Sequence, residues 1–246
     1  MRYLLVALLV SACGTNLVET RPRAFEINYS MGGGMMDSSE GMTIKPDICK
    51  YTRRYEGIVN SFTFKLKKQE LDKLYQVLRK NRFDKIQTAK DIIVHDKGGP
   101  SVYLKVGHLF YHVSTSGTYV TTGLKEWKNI LNALMEIMKR EREKQEKTLR
   151  IILDKSLVGK HIYIGILQKT VFYGLVKAQS KTRFNLGFIP GNYRIKTQLK
   201  KVFDEKNPRK YLYGPKGNII YQQFNIHLPD DKRITIKLKN NKLSLK

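Results

Sequence analysis

Hydrophobic and polar positions repeat along this chain with two periods, and the exchange of one for the other organises it. In residues 58–66 (IVNSFTFKL), Ile58, Phe62, Phe64 and Leu66 fall on one side of a period of two, with Ser61, Thr63 and Lys65 on the other, which predicts a half-buried strand. Residues 25–30 (FEINYS) and 42–45 read as further strands, separated by MGGGMMDSSEG, whose Gly, Met and Ser content predicts a flexible loop. The period then changes: Leu71, Leu74, Tyr75 and Leu78 recur at three and four, so residues 68–81 read as an amphipathic helix.

A sharper signal follows in SVYLKV-GH-LFYHVS, two alternating runs around Gly107-His108. Glycine at the first of two loop positions fits a type II′ hairpin. That turn sets Val106 against Leu109, Leu104 against Tyr111 and Val102 against Val113 on an apolar face, with Tyr103 opposite His112 on the other. A second helix begins near Leu124, with Trp127, Ile130, Leu131, Leu134, Ile137 and Met138 as its stripe. Beyond Met138 the stripe is lost in KREREKQEK, where Glu136 with Arg140 and Glu143 with Lys147 are spaced for i,i+4 pairing. This predicts a solvated helical tail that links two domains at residues 141–148. From Leu149 the texture is short alternating runs between turn residues: LRIILD, HIYIGIL, TVFYGLV, TRFNLGF, YRIKTQL, IIYQQFNIHL and RITIKLK. Seven strands with no helical period predict an antiparallel β-sandwich over residues 149–246, after an α+β domain (residues 25–140) in which an antiparallel sheet carries two helices.

The N-terminus has another logic. Arg2 is followed by an uncharged run from Tyr3 to Val10, the layout of a secretory signal. A spanning helix needs about 20 apolar residues, and no stretch of the chain approaches that. Val10-Ser11-Ala12-Cys13 closes the run with two small residues and a thiol, and resembles the lipobox of bacterial lipoproteins. The resemblance implies cleavage before Cys13, residues 1–12 as a signal peptide, and two or three acyl chains on Cys13, each methylene buried in the bilayer contributing ~0.8 kcal/mol. Gly14 after the cysteine is compatible with outer-membrane sorting. GTNLVETRPRA behind it reads as a short tether that, at ~3.4 Å per residue, reaches under about 40 Å.

Charge refines the picture. The chain carries a formal +25, of which residues 149–246 hold +16, from twenty-one Lys and Arg against five Asp and Glu. In an intracellular protein this excess would point to nucleic acid; on an exported one it points to anionic envelope partners, lipid or glycan. With Cys13 consumed by lipid, Cys49 stands alone and no internal disulfide forms.

Two further stretches carry candidate meaning. "IPGNYRI" at residues 189–195 places Pro190 and Gly191 as the centre of a type II turn, sends Tyr193 and Ile195 to one face, and resembles the turn of prealbumin-like modules of the PEGA and carboxypeptidase-regulatory type. Those modules are mostly non-catalytic spacers or adhesive modules, which is the function the resemblance implies for residues 149–240. Gly32-Gly33-Gly34 lacks the Lys-Ser/Thr of a phosphate loop. The five histidines, His95, His108, His112, His161 and His227, show no metal-ligand spacing, so neither metal nor cofactor is expected. His112 with Ser114 or Ser116, and His95 with Asp96, could compose a hydrolytic site, yet no G-x-S-x-G elbow is present. The sequence thus predicts a non-enzymatic binding or structural module on the bacterial envelope, with a hydrolase of envelope material in the N-terminal domain as the alternative.

Overall fold

The computed structural model describes residues 15–33, 36–89, 94–95, 97–166, 169–178, 182–200, 219–230, 232–239 and 242–246. Residues 1–12, expected as a signal segment, and Cys13 lie outside them. The chain divides into two compact units, Met1–Lys144 and Gln145–Lys246.

The first unit is built on a six-stranded antiparallel sheet of order β4-β3-β2-β1-β6-β7, where β1 is Phe25–Gly33, β2 Met36–Ile44, β3 Cys49–Tyr55, β4 Ile58–Phe64, β6 Gly99–Val106 and β7 Leu109–Ser114. A two-stranded sheet joins β5 (Gln87–Thr88) to β8 (Val120–Thr122). Helices α1 (Lys68–Lys80) and α2 (Leu124–Gln145) interleave with the strands and lie on one face of the large sheet. Phe25 of β1 meets Tyr75 of α1 edge to face at 5.7 Å, and Arg142 of α2 reaches Glu40 of β2. Leu71, Leu74, Tyr75 and Leu78 are all buried, so the three-and-four spacing is the face that α1 packs down. Each such side chain contributes about 1.5–3 kcal/mol by leaving water. The start of α1 is fixed by Glu70, whose Oε2 accepts the Lys67 backbone N–H at 2.8 Å.

The hairpin at Gly107 has the expected register, Val106 to Leu109 through Val102 to Val113. Gly107 takes φ +61° and His108 is not among the positive-φ residues, the pattern of a type II′ turn. Other expectations are corrected. MGGGMMDSSEG is no loop: β1 runs through Gly33 and β2 starts at Met36. Its small side chains carry no apolar pattern, and the strands are specified instead by pairing on both sides, β6 beyond β1 and β3 beyond β2. Gly41 is required there, because a Cβ at that position would lie 2.3 Å from the Tyr29 carbonyl oxygen.

The segment after Met138 also departs from a bare solvated tail. Residues 141–145 complete α2, and Glu141 is 4% exposed, held by Arg140 at 2.8 Å and Lys144 at 2.8 Å. Arg140 also pairs with Glu70 at 2.7 Å, and the i,i+4 pair formed is Lys139 with Glu143. Residues 15–21, expected as a tether, are docked instead. Leu17 is 2% exposed; Tyr75 Oη and Arg79 Nε donate to the carbonyls of Val18 and Leu17; Arg21 Nε pairs with Asp72 at 2.8 Å.

In the second unit two four-stranded sheets, β11-β10-β13-β14 and β12-β9-β15-β16, share one hydrophobic core. The strands are β9 Lys147–Leu153, β10 His161–Ile166, β11 Lys169–Leu175, β12 Arg183–Phe188, β13 Gly191–Lys200, β14 Ile219–Leu228, β15 Lys232–Lys239 and β16 Lys242–Leu245. Leu149 and Ile151 from one sheet and Ile162, Ile164 and Ile195 from the other belong to that core. The prediction of a wholly antiparallel unit is corrected at one place: β15 runs parallel to β9. Strand β14 belongs to one sheet and β15 to the other, so the chain crosses over and enters beside β9 in the same direction. Pro190-Gly191 likewise carries the chain from one sheet to the other, with Gly191 at φ +152° rather than the roughly +80° of a type II turn. Tyr193 turns inward and donates from Oη to the Ile189 carbonyl, four residues back, the arrangement of a tyrosine corner.

Candidate functional site

The residues singled out for chemistry are scattered by the fold. His112 Nε2 lies 2.9 Å from Ser101 Oγ across the β6–β7 ladder, not against Ser114. Ser114 Oγ instead accepts the Ser116 backbone N–H at 3.3 Å. Both His112 and Ser101 sit on the sheet face away from the helices, and no carboxylate hydrogen-bonds His112 among the described residues. His95 is exposed and Asp96 lies outside the described residues. His108 occupies the hairpin turn, and His227 Nδ1 is 2.9 Å from Asn192 Oδ1. His161 begins β10, its side chain outside the described set. Among the described residues no three His, Cys, Asp or Glu side chains gather in a metal-binding group. Cys49 is buried at the start of β3, its thiol donating to the Lys45 carbonyl at 3.6 Å. Burial pushes the thiol pKa up, which keeps it protonated and unreactive at neutral pH.

The two sheet faces of the first unit contrast. On the open one, the register places Ser114, Ser101, Ser30, Gly41, Thr52 and Ser61 in one uncharged, mostly hydroxyl-bearing row across all six strands, with Lys50 and Lys105 elsewhere on the same face. A shallow groove of about 290 Å³ runs over Gly41. Beneath the helices, Glu40 Oε1 accepts from Tyr51 Oη at 2.6 Å and from Arg142 Nη1 at 3.0 Å. Burial, then Glu40, raises both tyrosines beside this carboxylate: Tyr29 is pushed up to about 12 and Tyr51 further. A larger cleft of about 760 Å³ is lined by Arg21, Arg23, Lys68, Asp72 and Gln76, but Arg21 is already committed to Asp72 and to the ring of Phe25, 5.6 Å away.

The second unit presents a different surface. Along β9, Leu149, Ile151 and Leu153 turn into the core, so Thr148, Arg150 and Ile152 point out. The pairings carry this alternation across the sheet: Arg183 and Asn185 of β12, and Arg233, Thr235 and Lys237 of β15, share the outward side. Arg150 and Arg233 are direct partners in the parallel ladder, and with Thr148 and Lys232 they line a cleft of about 370 Å³. No ion pair to Arg150, Arg183 or Arg233 forms among the described residues. The nearby carboxylates are at the rim: Asp230 pairs with Lys147 at 3.7 Å, and Glu146 lies over Gly187. Asp154 accepts the Ser156 N–H, which lowers its pKa. Two like charges side by side on neighbouring strands repel, at a cost of about 1 kcal/mol in water at ~4 Å. A doubly contacted anion would reverse that sign.

Alternation in LRIIL and KRITI marks Arg150 and Arg233 as outward residues, but their adjacency depends on a parallel pairing between strands more than eighty residues apart, which no local pattern encodes. Among the described residues no helix is long and apolar enough to cross a membrane. Comparison with protein-family models, with curated proteins and with solved structures finds no match for this chain.

Proposed function

We propose that this is a lipid-anchored bacterial envelope protein, most simply of the outer membrane, whose second unit is a non-enzymatic sandwich module of the prealbumin-like type that holds an anionic envelope polymer. The observation that carries the reading is the outward face of the β12-β9-β15-β16 sheet, where Arg150 of β9 and Arg233 of β15 are direct partners and Arg183 of β12, paired with Ile152, lies on the same side one outward position further along. Arginine forks of this kind match phosphate or carboxylate groups bidentately. A polymer with regularly spaced anions would cover several of them at once, so binding is steeply weakened by salt. Lipidation of Cys13 supplies the anchor: an uncharged run, two small residues and a thiol lead directly into the folded body.

The hydrolase alternative draws on His112 and Ser101. They lie on an open sheet face where no acid hydrogen-bonds the imidazole among the described residues, Ser114 does not meet His112, and the groove over Gly41 is lined by other residues. The binding reading is therefore preferred. Mass spectrometry of the membrane-extracted protein should find an acylated N-terminal Cys13, and Cys13→Ala should move the protein out of the membrane fraction; an unmodified Cys13 sinks the anchor. Capture of envelope polysaccharide by the wild-type chain and its loss in an Arg150→Ser, Arg233→Ser protein tests the module, and equal capture by both sinks that part.

A further inference from the structure

The docked segment at the N-terminus limits which surface of the first unit a lipid on Cys13 could reach. Thr15 Oγ1 donates to Asp84 Oδ1 at 2.5 Å, and the Asn16 backbone N–H donates to Oδ2 of the same carboxylate at 2.8 Å. The Asp84 side chain is fully buried. With Leu17 plugged into the core and the Val18 and Glu19 carbonyls held by Tyr75 and Gln76, the chain has no slack from Thr15 onward. Only Gly14 separates Thr15 from Cys13, two residue steps that span at most ~7 Å. A lipid on Cys13 would therefore enter the bilayer within about 10 Å of the Asp84 carboxylate.

The surface around that point is basic. Lys80 ends α1, and Arg82 and Lys85 flank and close the 3-10 turn Phe83–Lys85; all three are exposed. The start of α2 packs alongside, since a Cβ on Gly123 would touch Ile86 at 3.1 Å and Asn129 Nδ2 donates to Asn81 Oδ1 at 2.9 Å. This brings in Lys125, one helical turn before Asn129 on the same side of α2, together with the exposed apolar Leu124. Val18, next to the plugged Leu17, is also exposed at 54%. Of the nearby acids, Asp84 is consumed by the docked segment and by Lys85, which leaves two counter-charges, Glu126, partly buried on the first turn of α2, and the exposed Glu19 of the docked segment, against the four cations.

Resting on the lipid-anchor reading of Cys13, we infer that residues 15–21 are a strap that seats the first unit on the bilayer through Lys80, Arg82, Lys85 and Lys125, which contact anionic phospholipid headgroups. Cations and exposed aliphatics around a lipid attachment point are what an anionic interface accommodates. The six-stranded sheet's open face carries Lys50 and Lys105, which are separate from this surface and serve as internal controls.

The test is lysine acetylation of the full lipidated chain, read by mass spectrometry, in detergent and on vesicles of phosphatidylcholine with phosphatidylglycerol. Labelling of Lys80, Lys85 and Lys125 is expected to fall several-fold on vesicles, while Lys50 and Lys105 label as in detergent. Free labelling of Lys80, Lys85 and Lys125 on a chain shown to carry acylated Cys13 overturns the seating and leaves the anchor standing. A chain whose Cys13 carries no acyl group overturns both. An Asp84→Ala chain, in which the strap loses its anchor, should regain labelling at Lys80 and Lys85 on vesicles; unchanged protection there would show that the strap does not set the orientation.

Discussion

The first unit uses its charges to hold itself together; the second turns them outward. In the first, Arg21 is bound to Asp72, Arg140 to Glu70 and Glu141, and Arg142 to Glu40. In the second, Arg150, Arg183 and Arg233 line one side of a sheet whose other side packs into an apolar core. The difference follows from architecture. Helices packed on a sheet need their long side chains fixed where elements meet, so a carboxylate on β2 becomes a partner for an arginine on α2. Two sheets sharing one core expose their outer faces, so alternate residues are free to carry charge without structural duty. An excess of +16 is thus tolerated in the second unit because it is not asked to stabilise the fold.

That contrast can be broken first at the cores. Ile164→Ala should cost the second unit about 2–5 kcal/mol, and Leu78→Ala should cost the first a similar amount, because both are fully buried. Trp127, the one tryptophan, reports the first unit alone, so its fluorescence transition should move in the Leu78→Ala protein and stay put in the Ile164→Ala protein. Movement in both would mean the units do not unfold separately.

Next in size is the covered carboxylate. Glu40→Gln leaves Tyr51 and Arg142 with a weaker partner and should destabilise the first unit by about 1–3 kcal/mol. The same site gives a pH dependence. Tyr29 and Tyr51 have folded pKa values raised above the ordinary ~10, so their contribution is complete below pH ~10 and is lost as pH rises toward and beyond 12. Trp127 fluorescence should show the first unit melting earlier above pH ~10, and Glu40→Gln should lessen that alkaline loss because the carboxylate is one of its causes.

In the second unit, Tyr193→Phe removes the bond to the Ile189 carbonyl and should cost about 1 kcal/mol, visible in the circular dichroism transition and absent from Trp127 fluorescence. Smallest is Glu70→Gln, about 0.5 kcal/mol for a partly exposed carboxylate. Its pKa is lowered, first by the Lys67 N–H it accepts, so its contribution is present above pH ~4.3 and fades as pH falls below that. A Glu70→Gln protein should therefore match the wild type in acid and fall behind it at neutral pH.

Legibility in the sequence followed how local each cause is. The Gly107-His108 turn fixes its own register, and the α1 stripe and the seven alternating runs from Leu149 onward are each complete within a few residues. The facing ends of β1 and β2, beyond the strands expected at 25–30 and 42–45, were hidden because Gly32, Ser38, Ser39 and Gly41 hold their place by backbone pairing rather than by side-chain pattern. The docking of residues 15–21 depends on Asp72, Tyr75 and Asp84, more than fifty residues away, and a polar string with one buried leucine looks like a linker until those partners are in place. For the candidate site the net charge was legible and the arginine pair was not, since β15 reaches β9 only by crossing between sheets.

The central claim is that the outward arginines bind an anionic polymer. Titrating the full chain with inorganic polyphosphate at low and raised salt measures this directly, with an Arg150→Ser, Arg233→Ser protein and a Lys50→Gln, Lys105→Gln protein compared alongside. The wild type should bind at low salt and weaken steeply as salt rises, the arginine variant should lose at least about tenfold in affinity, and the lysine variant should match the wild type. An arginine variant that binds polyphosphate as tightly as the wild type would contradict the account.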